Sequence, residues 1–133
     1  MIGLLSSLFY IGCYTDSTHR DGLHVVEVNR ENGRMELRSS LAVDNPLYLA
    51  KSPDGRYLVS VEKSGLAAFE ISSGGTLEKK DFVNLGARAL CHLSFMPSGA
   101  SLCWAAYVGG ESGTVDFSGG RFGKAVKFRH SGS

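Results

Sequence analysis

Four histidines, His19, His24, His92 and His130, supply the only side chains in this sequence whose ordinary titration falls near neutrality. An imidazole of that basicity suits the removal of a proton from water as the water attacks an electrophilic carbon. His19 lies in a polar stretch and His24 inside a run of apolar residues, so neither is placed for chemistry. Hydroxyl groups that could hold a polar ligand stand at Tyr14, Thr15 and Tyr107, though each reads first as a packing residue. Lys124, Lys127 and Arg129 alternate with apolar residues in a pattern that suits the solvated face of an edge strand. Cys13, Cys91 and Cys103 are odd in number and form no CxxC pair, which argues against a zinc site or a disulfide framework and makes a reducing cytoplasm the default. There is no P-loop, GxGxxG, HExxH or GxSxG pattern.

These residues must be positioned by strands. Laid over one another at a shift of 44 residues, NPLYLAKSPDGRYLVSV (Asn45 to Val61) and ALCHLSFMPSGASLCWA (Ala89 to Ala105) match Leu49 with Leu93, Pro53 with Pro97, Gly55 with Gly99 and Leu58 with Leu102. GLHVVEV (Gly22 to Val28) matches GLAAFEI (Gly65 to Ile71) at a shift of 43. Ser52-Pro53-Asp54-Gly55 is a turn with a mechanism: proline pre-sets φ, and glycine accepts positive φ at little cost. Pro97-Ser98-Gly99 repeats the device. A period in the low forties made of short strands and glycine turns predicts the four-stranded blades of a β-propeller. No 3.6-residue stripe with caps predicts a long helix. The approximate blade units are 1–44, 45–87 and 88–133, and the apolar Met1 to Ile11 is expected to form a buried first strand, being too short to span a bilayer. His92 occupies the place held by Tyr48 one repeat earlier, at the head of a blade, where side chains can face a central channel; it reads as well as a buried histidine held by backbone carbonyls.

Closed propellers have about four to eight blades. Three cannot close a ring, so the chain is expected to be a piece of a longer protein or to complete a ring with its own copies through open blade edges. Fourteen Lys and Arg against thirteen Asp and Glu give no electrostatic reason for nucleic acid or an anionic membrane as partner.

YIGCYTD (Tyr10 to Asp16), NPLYLAKSPDGRYL (Asn45 to Leu58), GTLE (Gly75 to Glu78), CHLSFMPSG (Cys91 to Gly99), AYVGG (Ala106 to Gly110) and HSGS (His130 to Ser133) follow one another as they do in the lactonase-type β-propellers. The chain resembles the N-terminal portion of that seven-bladed, all-β family, which contains 6-phosphogluconolactonases and carboxymuconate cyclases. The resemblance implies a hydrolase that opens a sugar-derived lactone such as 6-phosphogluconolactone, a small-molecule substrate, and no metal or organic cofactor. It implies His130 as the acid–base residue, and on general chemical grounds the glycine-bearing turn after it could offer backbone N–H groups to an oxyanion. It further implies a central pocket in which His92, Tyr14, Thr15 and Tyr107 contact substrate, with Glu62 near an acidic position of the family. Leu90 stands where the family usually has proline, Ala106 where it usually has asparagine, and the loop after Val61 is shorter than usual. Two other readings stay open: a non-catalytic propeller piece acting through protein contacts, and a muconate-type cycloisomerase.

Overall fold

The computed structural model describes residues 4–131 and contains eleven strands and no helix among them. They form three antiparallel sheets in chain order. The first holds β1 (Ser6–Gly12), β2 (Leu23–Asn29) and β3 (Met35–Leu41). The second holds β4 (Leu49–Lys51), β5 (Tyr57–Glu62), β6 (Gly65–Ile71) and β7 (Leu77–Asn84). The third holds β8 (Arg88–Phe95), β9 (Ser101–Val108), β10 (Glu111–Ser118) and β11 (Arg121–Arg129). The sheets stack face to face, β4 beside β8 and β7 beside β11, as blades of a propeller.

Local chemistry sets the hairpins. Gly55 and Gly99 both sit at φ 75°, and their N–H groups donate to Ser52 O at 2.9 Å and Met96 O at 2.8 Å. Asp54 adds to the first turn by accepting from the Ser52 hydroxyl at 2.7 Å and the Arg56 N–H at 3.0 Å. Gly119 and Gly120, at φ 56° and 81°, form the two-residue connection between β10 and β11, whose twist matches that of the flanking strands. The repeat is also visible in its irregularities. A register shift falls at Val25/Val26, at Ala68/Phe69 and at Val115/Phe117, each time between the last two strands of a sheet.

β5 is buried along its whole length and β6 over its first five residues. The period of two sends Tyr57, Val59, Val61, Leu66 and Ala68 toward the third sheet, where they meet Leu90, Leu93, Leu102, Trp104, Val115 and Phe117. The alternate residues Leu58, Ala67 and Phe69 face the first sheet and pack with Leu23 and Val43. Phe117 is the aromatic hub of the larger cluster: its ring lies 5.5 Å from Tyr57, 5.4 Å from Phe95 and 5.5 Å from Phe122, all edge-on. Such pairs contribute about 0.5–1.5 kcal/mol each beyond their buried area.

Two features differ from the expectation. β1 is not a buried strand: it begins at Ser6 and forms a sheet edge, with Phe9 53% and Ile11 41% exposed. Its other parity is covered, since Tyr10 packs against the second sheet and donates its hydroxyl to Gly75 O at 3.1 Å. The first sheet also has three strands where its neighbours have four. Because β2 matches β6 in sequence, β1, β2 and β3 correspond to β5, β6 and β7, and the strand without a counterpart is the one equivalent to β4 and β8.

Phe117→Ala is expected to destabilise the chain by about 3–5 kcal/mol, whereas Phe128→Ala, at a side chain 63% exposed, should stay within about 0.5 kcal/mol of the parent. Urea unfolding midpoints measure both, and equal losses would contradict the sheet-to-sheet packing.

Candidate functional site

One end of the three sheets carries five of the six candidate residues. Strand direction and register place the loops 13–22, 42–48, 63–64, 85–87 and 109–110 together at this end, with the residues that follow β11. Tyr14 and Thr15 lie in the first of these loops, Glu62 ends β5, Tyr107 is next to last in β9, and His130 directly follows β11. His92 lies midway along β8, opposite Ala105.

Thr15 and Glu62 are brought to a common cleft of about 370 Å³, lined also by Arg20, Asp44 and Lys63. A reciprocal pair of hydrogen bonds builds its wall. The Thr15 N–H donates to Asn45 Oδ1 at 2.8 Å, and the Asn45 N–H donates to Thr15 Oγ1 at 3.1 Å. The Thr15 hydroxyl donates in turn to Asp44 Oδ1 at 2.8 Å. Asn45 adopts φ 48° and Lys63 φ 53°, so two of the left-handed non-glycine residues border the cleft; such conformations cost about 1–3 kcal/mol each and persist where surrounding contacts hold them.

Glu62 is only 8% exposed. Alternation along β5 turns it to the face that meets the first sheet, where Lys79 Nζ donates to its Oε1 at 2.8 Å. Its Oε2 is buried and has no hydrogen-bond partner among the described residues.

The remaining residues are dispersed. Tyr14 is 80% exposed and lines a different depression with Cys13, His19 and His24. His92 is exposed, and its ring lies 4.6 Å from that of Tyr48 at 46°, so the side chain of β8 contacts its repeat equivalent, the residue just before β4. Tyr107 is 82% exposed. His130 is exposed, and its N–H donates to Gly110 O at 2.8 Å. Three strand spacings, about 14 Å, separate β11 from β8, so His130 and His92 stand at opposite edges of one sheet. His130 is the first residue after the last strand of its sheet, as Ala42 is in the first sheet, and Ala42 lines the cleft shared by Thr15 and Glu62. The oxyanion turn proposed at Gly132 and Ser133 lies outside the described residues.

Sequence reasoning passed over Arg20, Asp44 and Lys63: the Thr15–Asn45 bonds join the loops of Arg20 and Asp44, thirty residues apart, and Lys63 follows Glu62 at the end of β5. Lys127 and Arg129 share one face, as their parity implied, and both approach Glu111, at 3.8 and 3.7 Å. No helix of the described residues is long and apolar enough to cross a membrane, and no group of three or more His, Cys, Asp or Glu among them is arranged to hold a metal ion.

Comparison with known proteins joins this geometry to a family. The sequence model of the family described as "Lactonase, 7-bladed beta-propeller" matches residues 8–133. A 6-phosphogluconolactonase of Formosa agariphila is 33% identical over 106 residues, covering 74% of this chain and 30% of that protein. A putative 6-phosphogluconolactonase of Bacteroides fragilis has a crystal structure that superposes with a TM-score of 0.87 at 25% identity, over 98% of this chain and 38% of its own. The periplasmic gluconolactonase of Pseudomonas aeruginosa shares the fold, with a TM-score of 0.81 at 20% identity over 91% of this chain and 38% of its own. The chain therefore spans between three and four tenths of the length of these relatives.

The loop that carries Thr15 is itself braced by Asp16. Its carboxylate accepts from the Thr18 hydroxyl and N–H, both at 2.7 Å, and from the His19 N–H at 2.8 Å. These donors, the Thr18 hydroxyl first, lower the Asp16 pKa to about 2. A folded-state pKa below the ordinary carboxylate value stabilises the turn fully above that value, and the contribution is lost as pH falls toward about 2. An NMR titration should find the Asp16 carboxyl midpoint near about 2, and Asp16→Asn should remove the acid-dependent shifts of the Thr18 and His19 amides. A midpoint at the ordinary aspartate value would contradict the bracing.

Proposed function

The chain belongs to the lactonase family of seven-bladed β-propellers, and on that premise we propose that it forms part of a hydrolase opening a sugar-derived lactone, with 6-phosphogluconolactone as the first substrate to test. The observation that carries this reading is the collection of Tyr14, Thr15, Glu62, Tyr107 and His130 at one end of the sheets, around loops that also form the cleft. Ligand sites built on loops over a rigid scaffold are a general arrangement.

In this reaction His130 takes a proton from water as the water oxygen bonds to the lactone carbonyl carbon. The ring C–O bond then breaks, and the imidazolium returns the proton to the departing alkoxide, leaving a hydroxy acid. His130 is exposed and so open to water and substrate. Its counterpart Ala42 lines the cleft between the first two sheets, which favours the corresponding place beyond the third sheet for the histidine. His92, its ring tilted against that of Tyr48, would contact substrate from the first strand of its sheet. The three cysteines are free thiols, in keeping with a cytoplasmic site of action.

A second reading has its own observation. On the first sheet Phe9, Met35 and Leu37 are 53%, 69% and 61% exposed, and Phe9 and Leu37 both pair across Val26. Bare apolar area on a sheet face marks a contact surface, which suits a propeller piece that docks on further blades, on a partner or on its own copies. Light scattering separates the cases: a mass that rises with concentration supports self-association, and a constant monomer mass opposes it.

The purified chain is expected to open 6-phosphogluconolactone or glucono-1,5-lactone faster than buffer does, and His130→Gln should lower that rate by about 10²–10⁴. No acceleration over buffer would remove the hydrolase reading for this chain. Turnover of a muconate-type acid without lactone opening would favour a cycloisomerase.

A further inference from the structure

We propose that the cleft at the other end of the second and third sheets, between the turns 52–55 and 96–99, binds a primary alkylammonium group, with Tyr57 Oη and the Asp54 carboxylate as its acceptors. The site is independent of the hydrolase reading, because β5 runs from Tyr57 at this end to Glu62 at the end that carries Thr15, Tyr107 and His130. Its foundation is the state of Tyr57. The residue is 7% exposed, and its ring is held edge-on to Phe117 at 5.5 Å. Its hydrogen bonds run through the backbone, to Ser52 Oγ at 2.9 Å among them, and the hydroxyl makes none among the described residues. The oxygen is not sealed in the core, since the enclosed side-chain polar atoms without a partner there are Glu62 Oε2 and Trp104 Nε1. Tyr57 lines a cleft of about 350 Å³, within the range of small-molecule sites, roughly 300–1,000 Å³. A hydroxyl at the floor of a cleft with no protein partner is an acceptor open to whatever enters.

The lining selects the ligand. Asp54 is its one charged residue among the described residues, and Asp54 belongs to none of their ion pairs. Its Oδ1 is engaged by the Ser52 hydroxyl and the Arg56 N–H, at 2.7 and 3.0 Å, which leaves Oδ2 to a ligand. The nearby cations are turned elsewhere. Arg56 lies over the Tyr57 ring at 5.3 Å and reaches toward Glu70 at 3.8 Å, and Lys80 pairs with Glu70 at 3.2 Å and Glu78 at 3.4 Å. A carboxylate with no cation beside it in the cleft repels anions and attracts a positive group. An ammonium has three hydrogens to donate, and Asp54 Oδ2, Tyr57 Oη and the Ser118 hydroxyl can accept them. Pro53 and Phe117 give the methylene stem an apolar wall. The two turns already pack closely, for a Cβ on Gly99 would stand 3.5 Å from Pro53 Cδ. A preformed wall lowers the ordering cost of binding.

The test is a titration of the 133-residue chain, followed by amide NMR, with n-butylammonium chloride, Nα-acetyl-lysine N-methylamide, 1-butanol and sodium butyrate as separate probes. The two ammonium probes should give saturable shifts confined to residues 52–57, 97–99 and 117–119. The alcohol carries the stem without the charge and should bind more weakly, and butyrate should leave those amides unmoved. Tighter binding of the lysine derivative than of butylammonium identifies a partner's lysine as the source of the group; equal binding identifies a free amine. Tyr57→Phe keeps the ring and removes the hydroxyl. It should weaken both ammonium probes by about tenfold or more, as expected for loss of a hydrogen bond to a charged group. Its urea midpoint should match the parent, because no bond within the protein is lost. Asp54→Asn, which retains an oxygen for the Ser52 and Arg56 donors, should remove the preference for ammonium over alcohol. Equal ammonium affinity in the parent and Tyr57→Phe overturns the proposal, as does 1-butanol binding as tightly as butylammonium. A lowered urea midpoint for Tyr57→Phe also overturns it, by giving the hydroxyl a structural partner. None of the probes has a lactone bond, so the site and the hydrolase reading fail separately.

Discussion

Burial of β5 and β6 on both faces is the constraint from which the other features follow. Val59, Leu66, Ala67 and Ala68 are fully enclosed, and Phe69 is 1% exposed. The second sheet is therefore a plate between two others, and its two central strands, β5 and the first five residues of β6, are buried at successive positions rather than at alternate ones. Turn chemistry cooperates with that demand. Short hairpins of glycine and Ser-Pro-Asp-Gly type keep the strands short enough to stack radially, and the recurring register shift between the last two strands of each sheet adds the twist that stacked blades need.

The same parity that builds the core decides what reaches the cleft. Leu58, Ser60 and Glu62 share the face of β5 that meets the first sheet, and Leu77 and Lys79 share that face of β7. A carboxylate at the end of this row emerges between two sheets, held by a lysine from the outermost strand. Loops crossing from one sheet to the next then close over it, with Thr15 and Asn45 as the clasp. Scaffold and candidate site are thus consequences of one alternation: a shift of β5 by one residue would turn Glu62 toward the third sheet and Val61 into the cleft.

Much of the scaffold was legible from residues alone. The 44-residue shift matched Tyr48 with His92, and the structure places those rings 4.6 Å apart, one just before β4 and the other on β8. Proline and glycine positions marked the turns, because only a few residue types take those dihedrals. The candidate site was less legible, since it depends on contacts without a local pattern. Nothing in the spacing of Thr15 and Asn45, or of Glu62 and Lys79, marks them as partners. The exposure of Phe9 and Ile11 was likewise hidden, because an apolar strand at a bare sheet edge has the composition of a buried one. The three-stranded first sheet became visible only when register was compared across sheets.

Native-state hydrogen exchange tests the central claim most directly. If the second and third sheets are one cooperative unit joined through Tyr57, Val59, Leu66, Leu102, Trp104 and Phe117, the amides of β5, β6, β9 and β10 should exchange last and with one common opening free energy, while β1 exchanges earlier. Loss of protection in β9 and β10 under conditions where β5 and β6 stay protected would show the sheets opening independently, and would contradict the account.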